Sequence, residues 1–197
     1  MPKRVFEPKE KEQLKLTMLE AGFPLLKEYG MTHTTISKIT NAAGIAKGTF
    51  YHFWNNKEEY MAELIAYHRG KMIPVLISED VLSGKKKLGK EDARKYLHAL
   101  VDEEISIYPH LTLEDEAKLF KNTDTFEPDT KKESAIATGL LRYLDNVRED
   151  VNLLLVANMV KLLVITSESR EELHAAVYTE TVDTLVDTIL NLVFRKG

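Results

Sequence analysis

Lys47, Thr49, Tyr51 and His52 crowd into six residues, between and beside the apolar positions Phe50 and Phe53. They offer an ammonium, two hydroxyls and an imidazole, with no carboxylate among them. Donors of this kind suit phosphate oxygens and the acceptor edges of bases. Gly48 removes a side chain where a backbone must come close to a large partner. The setting agrees: residues 31–57 contain no Asp or Glu, yet hold Lys38, Lys47, Lys57, His33 and His52. The whole chain has a formal net charge of −4, which argues against a general nucleic-acid coat protein. Residues 1–68 carry nine Lys/Arg against eight Asp/Glu, and the remainder eighteen against twenty-three, so the acid-free window lies in the less acidic part. A surface that approaches phosphates needs such a window.

Those side chains need a scaffold. The spacing predicts a first helix over 8–29, with Leu14, Met18, Ala21, Leu25 and Tyr29 on one face, Gly30 as its stop and Pro24 bending it near Glu20. A short helix follows over 35–43, then a turn at Gly44 and Ile45, then a second short helix over 47–53 burying Phe50 and Phe53. Asn55 and Asn56 cap a longer helix reaching about residue 74, and Asn56 with Glu59 spells a capping box. A helix, a tight turn and a stubby helix clamped on a third make a helix-turn-helix layout, whose second helix enters the major groove. A small helical lobe that packs for its own sake would share the pattern. The helix starting near Thr35 has no carboxylate in its first turn, which leaves its amides available to a phosphate. Lys57 opposes the macrodipole of the helix it begins, so an external anion is the expected reason for it.

The run from Thr34 to Leu64, TTISKITNAAGIAKGTFYHFWNNKEEYMAEL, resembles the DNA-binding segment of the TetR family. The shared features are a helix ending Ala-Gly, an apolar residue, Lys-Gly-Thr, the pair Tyr-x-Phe, and Asn-Lys-Glu-Glu. By position, the resemblance implies that Thr35, Ser37, Lys47, Gly48, Thr49, Tyr51, His52 and Lys57 face an operator. Tyr51, Thr49 and Lys57 would hold phosphates, while Lys47, Gly48 and His52 would lie nearest base edges. Three departures stand out: Ala46 where a capping Ser is commoner, Trp54 and Asn55 in place of a smaller pair, and Pro24 inside the first helix. The family also implies a DNA-binding domain over 1–57 and an effector-binding, dimerising domain over 58–197.

At 197 residues the chain suits one compact body with a small attached lobe. It has no cysteine, which excludes disulfides, thiolate metal sites and a cysteine nucleophile and fits a reducing cytoplasm. Lys3 and Arg4 precede no apolar core, because Glu7, Lys9, Glu10, Lys11 and Glu12 interrupt it, so no secretory signal is expected. The densest apolar run, 151–165, rises only about 22 Å as a helix and is too short to span a membrane.

Beyond a polar loop over 78–90, helices are expected at 91–108, 113–121, 130–147, 150–166 and 171–194, with a loop over 122–129. The fold class is therefore all-α, about nine helices in two parts. In the last helix, Tyr178, Val182, Leu185, Val186, Ile189 and Val193 form an apolar stripe. Paired with the helix before it, the stripe could make a four-helix dimer interface through Val182, Leu185, Val186, Ile189 and Val193, or fill the core of a single chain. Tyr96, Tyr108, Tyr143 and Met159 are the candidate lining of an effector pocket, with Phe120 and Phe126 nearby in sequence, although a packed core explains each as well.

Several other patterns fall short of a site. Residues 84–91, GKKKLGKE, nearly spell a phosphate loop, but a carboxylate stands where the magnesium hydroxyl belongs and no strand precedes it. His98 with Asp102, and His110 with Glu114, have helical spacing for a metal but no third ligand. No serine elbow, HExxH or dinucleotide fingerprint occurs. The expectation is a non-enzymatic regulator with no cofactor and no metal. Its partners would be double-stranded operator DNA, an unidentified small-molecule effector and a second copy of itself, with no membrane.

Overall fold

The computed structural model describes residues 7–112, 114, 115, 119 and 141–195. Among them the chain is helical, with eight α-helices, three short 3-10 turns and no strand beyond two isolated bridges. The chain divides into two compact units, Met1–Arg69 and Gly70–Gly197.

In the first unit, α1 spans Pro8–His33 and begins with proline at its first position, where the missing amide costs nothing. Helical angles continue through Pro24, and the one non-helical residue inside α1 is Gly30, at φ 67° and ψ 173°. The break therefore sits at the glycine stop, where a side chain would be strained. Next, α2 spans Ile36–Ala42 and ends in a Schellman motif: Gly44, at φ 67°, donates to the Asn41 carbonyl at 3.1 Å, and Ile45 donates to Thr40 at 2.8 Å. That motif turns the chain into α3, Lys47–Phe50. The expected helix over 47–53 thus stops at residue 50 and continues only as tight turns, with His52 donating to Thr49 and Trp54 to Phe50.

The long helix α4, Lys57–Leu76, crosses the boundary between the units. Its early turns belong with α1. The Tyr60 hydroxyl, fully buried, donates to the Met18 carbonyl at 2.8 Å, and burial pushes its phenol pKa up, so it remains a proton donor. Gly22 is what lets Tyr60 and Leu64 lie so close, because a Cβ there would overlap the Tyr60 hydroxyl and approach two Leu64 methyls at 2.8 and 2.9 Å. The compact unit accordingly reaches residue 69, whereas the sequence reading divides the chain after 57.

In the second unit the segment expected to be a loop over 78–90 contains a helix, α5, Glu79–Leu82, whose Val81 is buried with Ile77 and Leu88. Then α6 spans Lys90–Leu100, not 91–108. The Asp102 carboxylate accepts from the Glu104 and Ile105 amides, a local turn that competes with helix continuation. Residues 113–140 carry most of two expected helices and the loop between them; apart from 114, 115 and 119 they lie outside the described residues, as do Phe120 and Phe126. The helix expected over 130–147 does not reach its end, because residues 142–150 run as turns and bridges, Leu88 pairing with Leu144 and Val147 with Phe194. Two helices close the chain: α7, Leu153–Glu168, capped by the Asn152 side chain, and α8, Tyr178–Val193. The turns between them replace the expected early part of a single helix over 171–194.

The core of this unit gathers Leu97 and Leu100 of α6, Leu163 of α7, and Val182, Val186, Ile189, Leu190 and Val193 of α8. The apolar stripe expected on the last helix belongs to this core. Val182, Val186, Ile189 and Val193 are buried inside their own chain, and Leu185 packs against the same cluster. The stripe faces α6 and α7 of its own unit, with Leu185 and Leu192 only partly covered.

Candidate nucleic-acid interface

The surface of α2, α3 and the turn after them is built over an aromatic floor. Phe50 is completely buried and Trp54 is 3% exposed. Their ring centroids are 5.1 Å apart, and Tyr60 meets Trp54 edge-on at 4.9 Å. The Trp54 indole N–H donates to a Glu63 carboxylate oxygen at 2.7 Å, and the other oxygen of that carboxylate pairs with Lys15 at 2.5 Å. Trp54 thus has a structural task that its sequence position did not suggest: it fills the space under α3 and ties that helix to α1 and α4. The neighbouring Asn55 is engaged as well, donating its side-chain amide to Glu59 at 3.0 Å.

Above this floor the polar residues point outward. Lys47, Gly48, Tyr51 and His52 are exposed and Thr49 is half-buried; Tyr51 is 51% exposed, a large value for an aromatic side chain. Thr35 and Ser37 are exposed at the start of α2. The structure therefore brings Thr35, Ser37, Lys47, Gly48, Thr49, Tyr51 and His52 onto one small unit, on exposed or half-buried positions. Lys38 is occupied, its ammonium lying 3.2 Å from the Tyr29 ring centroid.

Two local expectations change. The first turn of α2 is capped from within, since the Thr35 hydroxyl accepts from the Lys38 amide at 3.2 Å. An absent carboxylate did not mean an absent cap. Lys57 likewise has partners inside the fold, donating to the Met31 carbonyl at 3.0 Å and the Thr32 carbonyl at 3.3 Å. At the start of α4 the Asn56 side chain accepts from the Glu59 amide at 2.8 Å, but the Glu59 carboxylate reaches back to the Asn55 amide, one residue short of a reciprocal box. That backbone hydrogen bond, with the Asn55 side chain, holds the Glu59 carboxyl below its usual pKa.

The predicted pocket residues fall against two apolar clusters. Tyr96, Tyr108 and Met159 are half-buried against the main core of the second unit, whereas Tyr143 packs against the separate Ile77, Val81 and Leu88 cluster. His98 does not pair with Asp102 but approaches Asp183 at 3.4 Å. Among the described residues no cluster of three metal-ligating side chains occurs, and no helix is long and apolar enough to cross a membrane.

An exposed, cation-bearing short helix clamped between two others, followed by a larger helical unit, has the layout of a helix-turn-helix lobe joined to a second helical unit. Residues 18–64 match the family of bacterial regulatory proteins described as the tetR family. The matched segment holds α2, α3 and the start of α4, so the first unit carries a helix-turn-helix domain of the TetR type. It is 27% identical over 108 residues to the fatty acid metabolism regulator protein of Bacillus subtilis (strain 168), covering 53% of this chain and about half, 55%, of that protein. Its fold resembles that of TylP, a TetR regulator from Streptomyces fradiae, with a TM-score of 0.58, 18% identity, and 96% of this chain and 89% of the other covered. A TetR-family regulator from Marinobacter aquaeolei VT8 gives a TM-score of 0.55 at 18% identity, with 96% and 100% covered.

Proposed function

We propose that the protein is a cytoplasmic repressor that binds a short inverted-repeat operator as a homodimer and leaves it when a small effector binds the second unit. The observation that carries this reading is the exposed edge of Lys47, Gly48, Tyr51 and His52 over the buried Phe50 and Trp54. Tyr51 and Thr49 hold phosphates, Lys47, Gly48 and His52 approach base edges, and Thr35 and Ser37 meet the backbone at the start of α2. The effector acts through its differential affinity for two states: it weakens DNA binding, and DNA weakens effector binding by the same factor.

Dimerisation uses the outer face of α7 in place of the α8 stripe. Leu154, Leu155 and Leu162 are 47%, 41% and 48% exposed, while the neighbouring Leu163 is buried. The outward residues of α8, among them Thr179, Glu180, Asp183, Asp187 and Asn191, are polar and flank the interface. Operator binding by such a dimer requires its two recognition helices to meet grooves about 34–36 Å apart.

The relative that regulates fatty acid metabolism in Bacillus subtilis favours an effector drawn from the same chemistry, received by an apolar part of the second unit near Tyr96, Tyr108 and Met159. Tyr143 lines a different cluster and is not part of that site.

The test is selection of genomic fragments followed by gel shift at low and high salt. The reading requires recovery of an inverted repeat, loss of affinity as salt rises, and release by long-chain fatty acids or their thioesters. Equal retention of all fragments, or binding insensitive to salt, overturns operator recognition; release by unrelated ligands alone overturns only the effector class.

A further inference from the structure

We infer that Lys57 acts on the operator indirectly, as a positioning residue that braces the α1–α2 junction, and holds no phosphate itself. The inference rests on the operator-binding reading. Residues 30–34, the last turn of α1 beyond its break at Gly30 together with the C-cap Thr34, lead into α2 and are held from two sides. From within, Thr34 is fully buried, its amide donates to the Gly30 carbonyl at 3.1 Å, and its hydroxyl lies 2.7 Å from that carbonyl and 3.1 Å from the Leu25 carbonyl. From across, the Lys57 ammonium meets the Met31 and Thr32 carbonyls, 26 and 25 residues away in sequence. The end of a helix carries partial negative charge on its unpaired carbonyls, so an ammonium is favourable there. The cation that is misplaced for its own helix is well placed for α1.

Position explains why this bears on DNA. Thr35 and Ser37 follow the braced segment directly, and residues 51–56, which carry Tyr51 and His52, run directly into Lys57. The brace therefore joins the chain just before α2 to the chain just after α3, and fixes the angle at which the two short helices are presented together. Lys47, by contrast, is an exposed cation on α3 itself.

The two roles separate under salt. A lysine that neutralises one phosphate contributes about 0.9 to the slope of log affinity against log salt, and a brace contributes almost nothing to it. Binding of one selected duplex is measured by fluorescence anisotropy between about 50 and 200 mM salt, well below the melting temperature of each variant. Lys57→Gln is expected to lower affinity roughly three- to tenfold at every salt concentration, the scale of one lost intramolecular hydrogen bond, with the slope unchanged. Lys47→Gln is expected to flatten the slope by about 0.9. Lys57→Arg, which still reaches both carbonyls, restores affinity. If Lys57→Gln does not hold its fold, Lys57→Met keeps the aliphatic stem and carries the same readouts. A slope flattened by about 0.9 in Lys57→Gln overturns the brace in favour of a direct phosphate contact. Affinity equal to wild type reduces Lys57 to a stability role and also overturns it. Loss of salt-dependent binding in the wild type itself would instead remove the operator reading on which the brace depends.

Discussion

Replacing Gly22 by alanine sets two effects of opposite sign against each other inside α1. Intrinsic propensity favours the alanine by about 0.8–1.0 kcal/mol, because glycine loses more backbone freedom in a helix. Packing opposes it. The new Cβ overlaps the Tyr60 hydroxyl and lies 2.8 and 2.9 Å from the Leu64 methyls, and both residues are fully buried and cannot swing into solvent. Overpacking of this kind costs roughly 1–3 kcal/mol. Moving the phenol also breaks its hydrogen bond to Met18, worth about 0.5–1.5 kcal/mol. The net is a loss of about 1–3 kcal/mol, or roughly 2–12 °C in melting temperature for a chain of this size. Circular dichroism reads the global transition, and fluorescence of Trp54, the single tryptophan, reads the first unit from within its aromatic cluster. A double-mutant cycle sharpens the test: Tyr60→Phe alone lowers stability, but in the alanine background it costs less, because the overlapping oxygen is gone. A rise in melting temperature for Gly22→Ala, or strict additivity with Tyr60→Phe, would refute the packing argument.

Three further outcomes are expected. Tyr51→Phe should weaken binding to all DNA sequences comparably, by about fivefold for one hydroxyl contact, whereas Lys47→Ala should also narrow the gap between operator and random DNA in competition assays. Because the Glu59 carboxyl is held below its ordinary pKa, its contribution is present above the unfolded value of about 4.3 and lost as pH falls through the folded one; melting curves should lose stability below about pH 4, less steeply in Glu59→Gln. Leu155→Glu with Leu162→Glu should give a folded monomer in sedimentation velocity, while Val186→Asp, which buries an unpaired charge, should unfold the second unit instead; a dimer surviving the first pair would move the interface elsewhere.

The helix-turn-helix was legible because its signals are local. Gly30 and Gly44 mark backbone positions that need positive φ, and the Lys-Gly-Thr run with its aromatic flanks states which residues face in and which face out. What sequence could not settle were partners distant along the chain. Lys57 read as a cation awaiting an external anion because its acceptors lie 26 and 25 residues earlier. Trp54 read as a departure because Glu63 and Lys15 supply its polar partners from two other helices. The α8 stripe shows a different limit: periodicity identifies an apolar face, but it does not say whether that face meets its own chain or a copy, and here α6 and α7 claim it. Helix ends failed where a side chain took over a backbone partner, as Asp102 does after α6. Val81 was missed because one apolar residue in a polar stretch has no period to betray it.

The contact between α6 and α8 carries a row of polar pairs: Lys90 with Asn191 at 3.2 Å, Arg94 with Asp187, and His98 with Asp183 at 3.4 Å. Each step moves four residues forward on one helix and four back on the other. Slid by one turn, about 6 Å, the same row would set Lys90 beside Asp187 and Arg94 beside Asp183, so charge alone is indifferent between two alignments. Leu97, Leu100, Val186 and Ile189 are not, because teeth that fill one set of sockets leave voids in the other. The exposed pairs trim the fit and the buried aliphatic groups choose it, so substitutions along the polar row should be absorbed, while a methyl group deleted beneath it would loosen the alignment itself.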